Sequence, residues 1–218
     1  MIRHPQTEID VNSLCHQPIT EMSFNIVGTR LPIDNGYPLY ASLCTTLDKR
    51  LPPDVGMHSV GGINDGKTVF LDRNSKLRFR TNLSNLPFLS QFTGKSLSVE
   101  GYKIRLGTFN IYQIQPSPTL YSRLTTFSKV MDESSFLQHV HATLDFLQVK
   151  ADPILPCNLQ GDFVGSTQRR IVTIKNNKIV GFGLKLDNLS DEDSMKIIHT
   201  GLGGRRHMGC GIFSPVRD

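Results

Sequence analysis

The sequence predicts an α+β protein made of two tandem β-α-β-β-α-β units, and three observations carry that reading. Strand-period and helix-period segments run through this order once before residue 115 and again after it. The segment between, "QPSP" (115–118), has the two prolines and the serine of a joint. At 218 residues the chain is long enough for two units, each burying its own core.

In the first unit, "EMSFNIVG" (21–28) alternates Met22, Phe24 and Ile26 with polar neighbours, the pattern of a strand with one buried face. "LPIDNGYP" makes a turn. "YPLYASLCTTLDKR" then sets Tyr40, Leu43, Cys44 and Leu47 at i, i+3, i+4 and i+7, an amphipathic helix that Pro52 and Pro53 end. Two extended pieces follow, around "GMHSVGG" and "SKLRFRT". A short helix, "NLPFLSQF", leads into "SLSVEGYKIRLGTFNIYQIQ", which alternates enough to be long strand structure.

The second unit opens on the strand "TLYSRLTTFSK". The helix "DESSFLQHVHATLDFLQV" comes next, with Leu137, Val140, Leu144 and Leu147 on one face, and "ILPCNL" reads as a short strand. In "RRIVTIKNNKIVGFGLKL", Ile171, Thr173 and Lys175 alternate before the turn, and Val180, Phe182 and Leu184 after it, which predicts a hairpin. Ser190 caps a helix with an acidic first turn (Asp191, Glu192, Asp193), with Met195, Ile198 and Leu202 facing inward and Gly201 at its end. "GCGIF" closes the chain as a last strand. Both units are thus ferredoxin-like, with boundaries at 1–115, including a polar tail 1–20, and 116–218.

Charge narrows the partners. The formal net charge of +5 is moderate, but its distribution is uneven. From Arg73 to Met131 the one acidic residue is Glu100, and the stretches Phe163–Leu186 and Gly201–Arg217 contain none. Long segments of one sign favour a polyanion partner. No run approaches the roughly 18 apolar residues of a membrane helix, and the polar start lacks a signal peptide's apolar stretch. A cytoplasmic protein without a membrane partner is expected. Cys15, Cys44, Cys157 and Cys210 form no C-x-x-C pair, so neither a zinc site nor a redox pair is expected.

The segment "GLGGRRHMGCGIF" (201–213) gathers five glycines around Arg205, Arg206 and His207. A dinucleotide fingerprint follows a strand and opens a helix, whereas this loop leaves a helix and enters the last strand. "TGKS" (93–96) ends like a phosphate-binding P-loop, but Leu89 stands where that motif needs glycine. Two readings of the glycine loop remain. It is a tight turn, or it clamps a nucleic-acid backbone, with peptide N–H groups and arginines meeting phosphate oxygens.

The pattern G-x-G-x(5)-G-x-G, filled by Gly201, Gly203, Gly209 and Gly211, resembles the glycine-rich signature of the CRISPR-associated repeat-cleaving endoribonucleases, the Cas-six family. "NIVGTRLPIDNGYPLYASL", "VGMHSVGG", "SPTLYSRLTTF" and "IVGFGLKLDNLSDEDSMKIIHTGLGGRRHMGCGIF" are similar to its compact MYXAN-type branch, so the likeness covers most of the chain after about residue 21.

The resemblance implies cleavage of CRISPR repeat RNA without a metal or cofactor. The 2′-hydroxyl attacks the adjacent phosphate in line, a base takes its proton, an acid protonates the departing 5′-oxygen, and donors stabilise the phosphorane. It implies as partners the repeat RNA, the mature guide RNA and other subunits of an effector complex. The alternative is a subunit that binds guide RNA without cutting it.

The resemblance also points to site residues. His58, in "GMHSVGG", lies where family members place a catalytic histidine, and a satisfied turn histidine is the competing reading. Tyr37 resembles a helper tyrosine, while Tyr40 falls on the apolar stripe and is expected to pack. Lys67 could balance the phosphorane charge, but a solvated hairpin lysine is the favoured reading. Ser166, Arg169 and Arg170, together with Arg123, are expected at the RNA, as are Gly203, Gly204, Arg205, Arg206 and His207 of the glycine loop. His139 and His141 are two apart on a helix and face apart. His199 suits a helix C-terminus, and His4 and His16 sit in the tail.

Overall fold

Alternation in the first strand sets the first unit. In β1 (Ile19–Gly28), Met22 and Phe24 enter a core while Glu21, Ser23 and Asn25 take the other face. The chain continues through β2 (Arg30–Pro32), α1 (Gly36–Leu47), β3 (Gly56–Met57), β4 (Ile63–Asn64), β5 (Thr68–Phe70), β6 (Lys76–Asn82), α2 (Leu86–Ser90), β7 (Ser96–Val99) and β8 (Tyr102–Gln113). This is a computed structural model, and it describes residues 18–159 and 164–216. The tail with His4 and His16 therefore lies outside the described residues.

The main sheet has the antiparallel order β3-β6-β1-β8-β7. Leu39 and Leu43 of α1 and Leu89 of α2 pack on Met22, Phe24, Leu77 and Phe79, so both helices cover one face and leave the other open. The expected stripe on α1 is displaced: Leu39 and Leu43 are buried, whereas Tyr40, Cys44 and Leu47 are half-buried. "SLSVEGYKIRL" is two strands, because Glu100 (φ 46°) and Gly101 (φ 85°) form a two-residue hairpin turn. A small sheet, β2-β5-β4, stands apart from the β-α-β-β-α-β frame. Its alternation is too short to read in sequence.

The second unit comprises β9 (Leu120–Thr125), α3 (Glu133–Phe146), β10 (Asp152–Ile154), β11 (Arg169–Ile174), β12 (Asn177–Asp187), α4 (Asp191–Thr200) and β13 (Ser214–Pro215). Its sheet runs β10-β12-β9-β13, with β11 also paired along β12. The Asp132 and Ser190 side chains cap α3 and α4, accepting from the N–H groups of Ser135 (2.9 Å) and Asp193 (3.1 Å). Phe136, Val140 and Leu144 of α3 and Ile197 and Ile198 of α4 bury against Phe182 and Leu184. Leu137, Leu147 and Met195, expected in the core, are only partly buried.

In both units the first and third strands of the motif are neighbours at the sheet centre, β1 with β6 and β9 with β12, which is the ferredoxin-like order. Two strand placements are corrected. "ILPCNL" yields to β10 at Asp152–Ile154, with one further bridge between Cys157 and Thr167. "GCGIF" is not a strand, because Gly209 (φ 81°) and Gly211 (φ 65°) leave the β region, and the ladder begins only at Ser214. Among the described residues no helix is long and apolar enough to cross a membrane.

Candidate active site between two basic sheet faces

The open face of the first sheet is polar because of strand register. Glu21 stands opposite Arg80, Ser23 opposite Arg78 and Asn25 opposite Lys76, all turned away from the helices. His58 follows β3 and is tied to this face by its backbone N–H, which donates to the Arg78 carbonyl at 2.9 Å. Its side chain, 12% exposed, reaches across β6 to Glu21, with Nε2 at 3.3 Å from Oε2.

Glu21 is the hub of the face. Its carboxylate takes His58, Arg78 (3.3 Å) and Arg80 (3.2 Å), and Arg80 is almost fully buried. Burial raises the Glu21 pKa, but His58, Arg78 and Arg80 outweigh it and hold the carboxyl well below the usual carboxylate range. Burial and the two arginines push His58 down to about 4, against the opposing pull of Glu21. At neutral pH its imidazole is therefore uncharged and free to accept a proton.

The second sheet supplies the facing wall. Arg123 on β9 and Arg170 on β11 line a cleft with Ile33 and Asp34 of the first unit, and the Arg123 guanidinium donates to Ser59 Oγ at 3.0 Å. Ser59 also lines a cleft of about 410 Å³ with Lys76 and Arg78. A cationic track thus runs from Arg170 through Arg123 and Ser59, beside His58, to Arg78 and Lys76. Arg169 and Ser166 are exposed too, but Arg169 pairs with Phe182 and Arg170 with Gly181, so the two arginines turn to opposite faces of β11; Ser166 Oγ accepts from Asn158.

Glu21, Arg78, Arg80 and Ser59 were not singled out in the sequence, although a signal existed. Alternation in "EMSFN" and "LRFRT" places Glu21, Arg78 and Arg80 opposite the core residues. Tyr37 and Lys67, expected beside His58, instead line a cleft with Asp34, Thr173 and Lys175 in which His58 takes no part.

Much of the glycine loop's backbone is engaged within the protein. The N–H groups of Gly201, Leu202, Gly204, Met208, Cys210 and Gly211 donate to carbonyls within the protein and so are not offered to phosphate. His207 stacks on Tyr40 (centroids 5.4 Å apart) and its Nε2 lies 2.9 Å from the Pro52 carbonyl oxygen, which makes it part of the joint between the units. A Cβ on Gly36 would strike the Met208 carbonyl, and one on Gly209 would strike Ser59 Oγ. Arg80 completes the joint by donating to the Phe213 carbonyl (2.7 Å) and to Ser214 Oγ (3.2 Å).

Arg206 is largely buried beside Arg80, and burial first, then Arg80, lowers its pKa to about 10. Arg205 donates to Thr126 Oγ1 at 3.3 Å. Gly203 is exposed, and a Cβ on Gly204 would meet open space. The loop thus locks the second unit against the strand that carries His58.

Comparison with known proteins agrees with this architecture. The family profile described as Cas6 Crispr matches residues 20–218. The CRISPR-associated endonuclease Cas6 of Myxococcus xanthus (strain DK1622) is 31% identical over 200 residues, spanning 89% of this chain and 80% of that protein. A solved CRISPR associated protein Cas6 superposes with a TM-score of 0.61 at 11% identity, covering 93% of this chain and 100% of that one. A Cas6-related protein from Pyrococcus furiosus gives a TM-score of 0.61 at 9% identity, covering 92% and 99%. The structural likenesses speak to fold. The profile and the Myxococcus relative, each spanning most of the sequence, go further: the chain belongs to the Cas6 family of CRISPR-associated endonucleases.

Proposed function

We propose that the chain cleaves CRISPR repeat RNA by attack of a ribose 2′-hydroxyl on the adjacent phosphate, with His58 as the base that takes the hydroxyl proton. The observation that carries this reading is the placing of the His58 imidazole, backed by the Glu21 carboxylate, between two arginine-bearing sheet faces. Nε2 faces Glu21, which leaves Nδ1 as the ring atom for substrate. A phosphate drawn in by Arg78 and Arg123 favours the imidazolium and raises His58 from its resting value. The same guanidiniums are placed to meet the charge that develops on the phosphorane.

The nucleophile belongs to the substrate, so no metal-generated hydroxide enters the scheme. Arg170 extends the track along which the RNA backbone lies, and the exposed Arg169 and Ser166 meet RNA outside it. Tyr37 and Lys67 act on RNA passing the neighbouring cleft rather than on the reacting atoms. Gly203, Gly204 and Arg205 border the path, while His207 and Arg206 hold the joint. Cationic surface away from the cut retains the product guide RNA for other effector subunits.

The deciding assay incubates purified protein with its repeat RNA in EDTA, beside a substrate with 2′-deoxyribose at the cut. Cleavage of the first and silence with the second is expected. Dependence on a divalent metal, or cutting of the deoxy substrate, refutes the mechanism, and an inert protein that still binds repeat RNA would be a guide-RNA-binding subunit.

Glu21 is a positioning residue in this scheme, holding the ring and stabilising its protonated form as carboxylates do behind catalytic histidines. Activity of the free enzyme falls as pH drops through the His58 pKa of about 4, because the protonated ring cannot act as a base. Glu21→Gln removes the one neighbour that favours the imidazolium and leaves Arg78 and Arg80, which oppose it. The acidic limb of kcat/KM should move to lower pH and the plateau should fall about 10–100-fold. An unchanged limb would reduce Glu21 to a counter-ion for the two arginines.

A further inference from the structure

A cleft of about 600 Å³ opens on the first sheet's free face, over the neighbouring strands β6, β1 and β8. Its floor includes Glu21, Arg78 and Arg80, and its far wall includes Tyr112, Gln113 and Ser214. Tyr112 is the register partner of Glu21 on β8. It is 53% exposed, and among the described residues it has no ring partner. A large aromatic facing a polar cleft contrasts with Phe24, Phe79, Phe88 and Phe92 of this unit, which pack on one another.

The cleft wall is chemically mixed in a particular way. Tyr112 offers a flat face. The Gln113 amide and the Ser214 hydroxyl each combine donor and acceptor groups at its rim, and the Arg78 side chain is 42% exposed at its floor. A flat apolar face with donor-and-acceptor edges beside a cation fits a nucleotide: the base stacks on the ring, its edge meets the amide, and its phosphate meets the guanidinium. The open face of a four-stranded ferredoxin-like sheet is also where aromatic side chains stack bases in RNA-recognition domains.

Strand register sets this cleft close to His58. Residues directly opposite on antiparallel strands have Cβ atoms roughly 4.5–5.5 Å apart, and the Glu21 carboxylate is itself 3.3 Å from His58. Tyr112 thus stands one strand from the residue that His58 contacts, so a base on its ring lies near any phosphate held at His58.

Building on the cleavage reading above, we propose that the cleft is a base subsite in which Tyr112 stacks the base of a nucleotide next to the scissile bond, setting substrate register and base preference. Tyr112 is a specificity-determining residue here and takes no part in proton transfer.

The test uses repeat RNA made uncleavable by 2′-deoxyribose at the cut and carrying 2-aminopurine in turn at the nucleotides on each side of it. With the unaltered protein, binding should quench the fluorescence at one of these positions by about threefold or more relative to the others, as stacking does. Tyr112→Ala should abolish that difference, and Tyr112→Phe, which keeps the ring, should restore it. In cleavage of ribose substrate, an abasic residue at the same position should cost unaltered protein about tenfold in kcat/KM and cost Tyr112→Ala nothing further. Equal quenching in unaltered and Tyr112→Ala protein, or abasic and Tyr112→Ala losses that multiply, would overturn the subsite. If the quench appears but ribose substrate is never cut, the subsite stands and the cleavage reading fails. If cutting proceeds with no position-specific quench, the reverse holds.

Discussion

His58→Ala is expected to slow single-turnover cleavage of repeat RNA by about 10²–10⁴-fold, the usual contribution of a positioned general base. Binding of uncleavable RNA should change by no more than about twofold, since the cationic groups that meet the backbone remain. The structure gives reason to expect the two effects to separate. The strand pairing of His58 is through its backbone, to the Arg78 carbonyl, and survives truncation. Glu21 loses one partner but keeps Arg78 and Arg80, so no buried charge is left unpaired.

His58→Gln is the sharper companion. An amide of similar reach can still donate to Glu21 but cannot take a proton at neutral pH. It should therefore be as slow as the alanine variant while melting near the parent temperature. Quench-flow rates on labelled repeat RNA, beside filter binding and thermal melts, check all three statements. Cleavage by either variant within tenfold of the parent would remove His58 from the chemistry and return it to the role of a satisfied turn residue.

The two sheets could be read from the sequence because their signal is local. Met22, Phe24, Leu77 and Phe79 alternate with polar residues over a few positions, and Asp132 and Ser190 mark helix starts by chemistry that acts within one turn. The site was legible only in part. His58 stood out through family likeness, but what makes it useful did not. Glu21 meets Arg78 and Arg80 across 57 and 59 residues, a proximity created by strand register alone.

The glycine loop shows the same limit from the other side. Its composition revealed turns and charge, yet the carbonyls that approach Gly203 and Gly211 belong to Thr126 and Leu202, which no spacing rule selects. Arg205 and Arg206 looked equivalent in sequence. Tertiary packing exposes part of one and buries the guanidinium of the other beside Arg80.

That loop supports the second large effect. Gly211→Ala is expected to destabilise the fold by about 3–5 kcal/mol, and Gly204→Ala, seven residues earlier, by less than about 0.5 kcal/mol. Gly211 sits at φ 65°, and its Cβ would be driven into the Leu202 carbonyl. Relief requires moving a backbone whose N–H donates to Leu124 (2.7 Å) and whose carbonyl accepts from Leu202 (3.2 Å). Left-handed strain of about 1–3 kcal/mol and about 1 kcal/mol for each weakened hydrogen bond account for the sum. Gly204 has neither constraint, as its φ is not positive and nothing lies within 4 Å of its Cβ position. Urea unfolding of the two variants beside the parent measures the contrast, and equal midpoints for all three would contradict the packing of the loop. The pair also separates joint from clamp. If the exposed side of the loop touches RNA, Gly204→Ala weakens RNA binding at unchanged stability; if the loop serves only to lock the second unit onto the His58 strand, Gly204→Ala binds and cuts as the parent does, and Gly211→Ala loses cleavage in proportion to its unfolding.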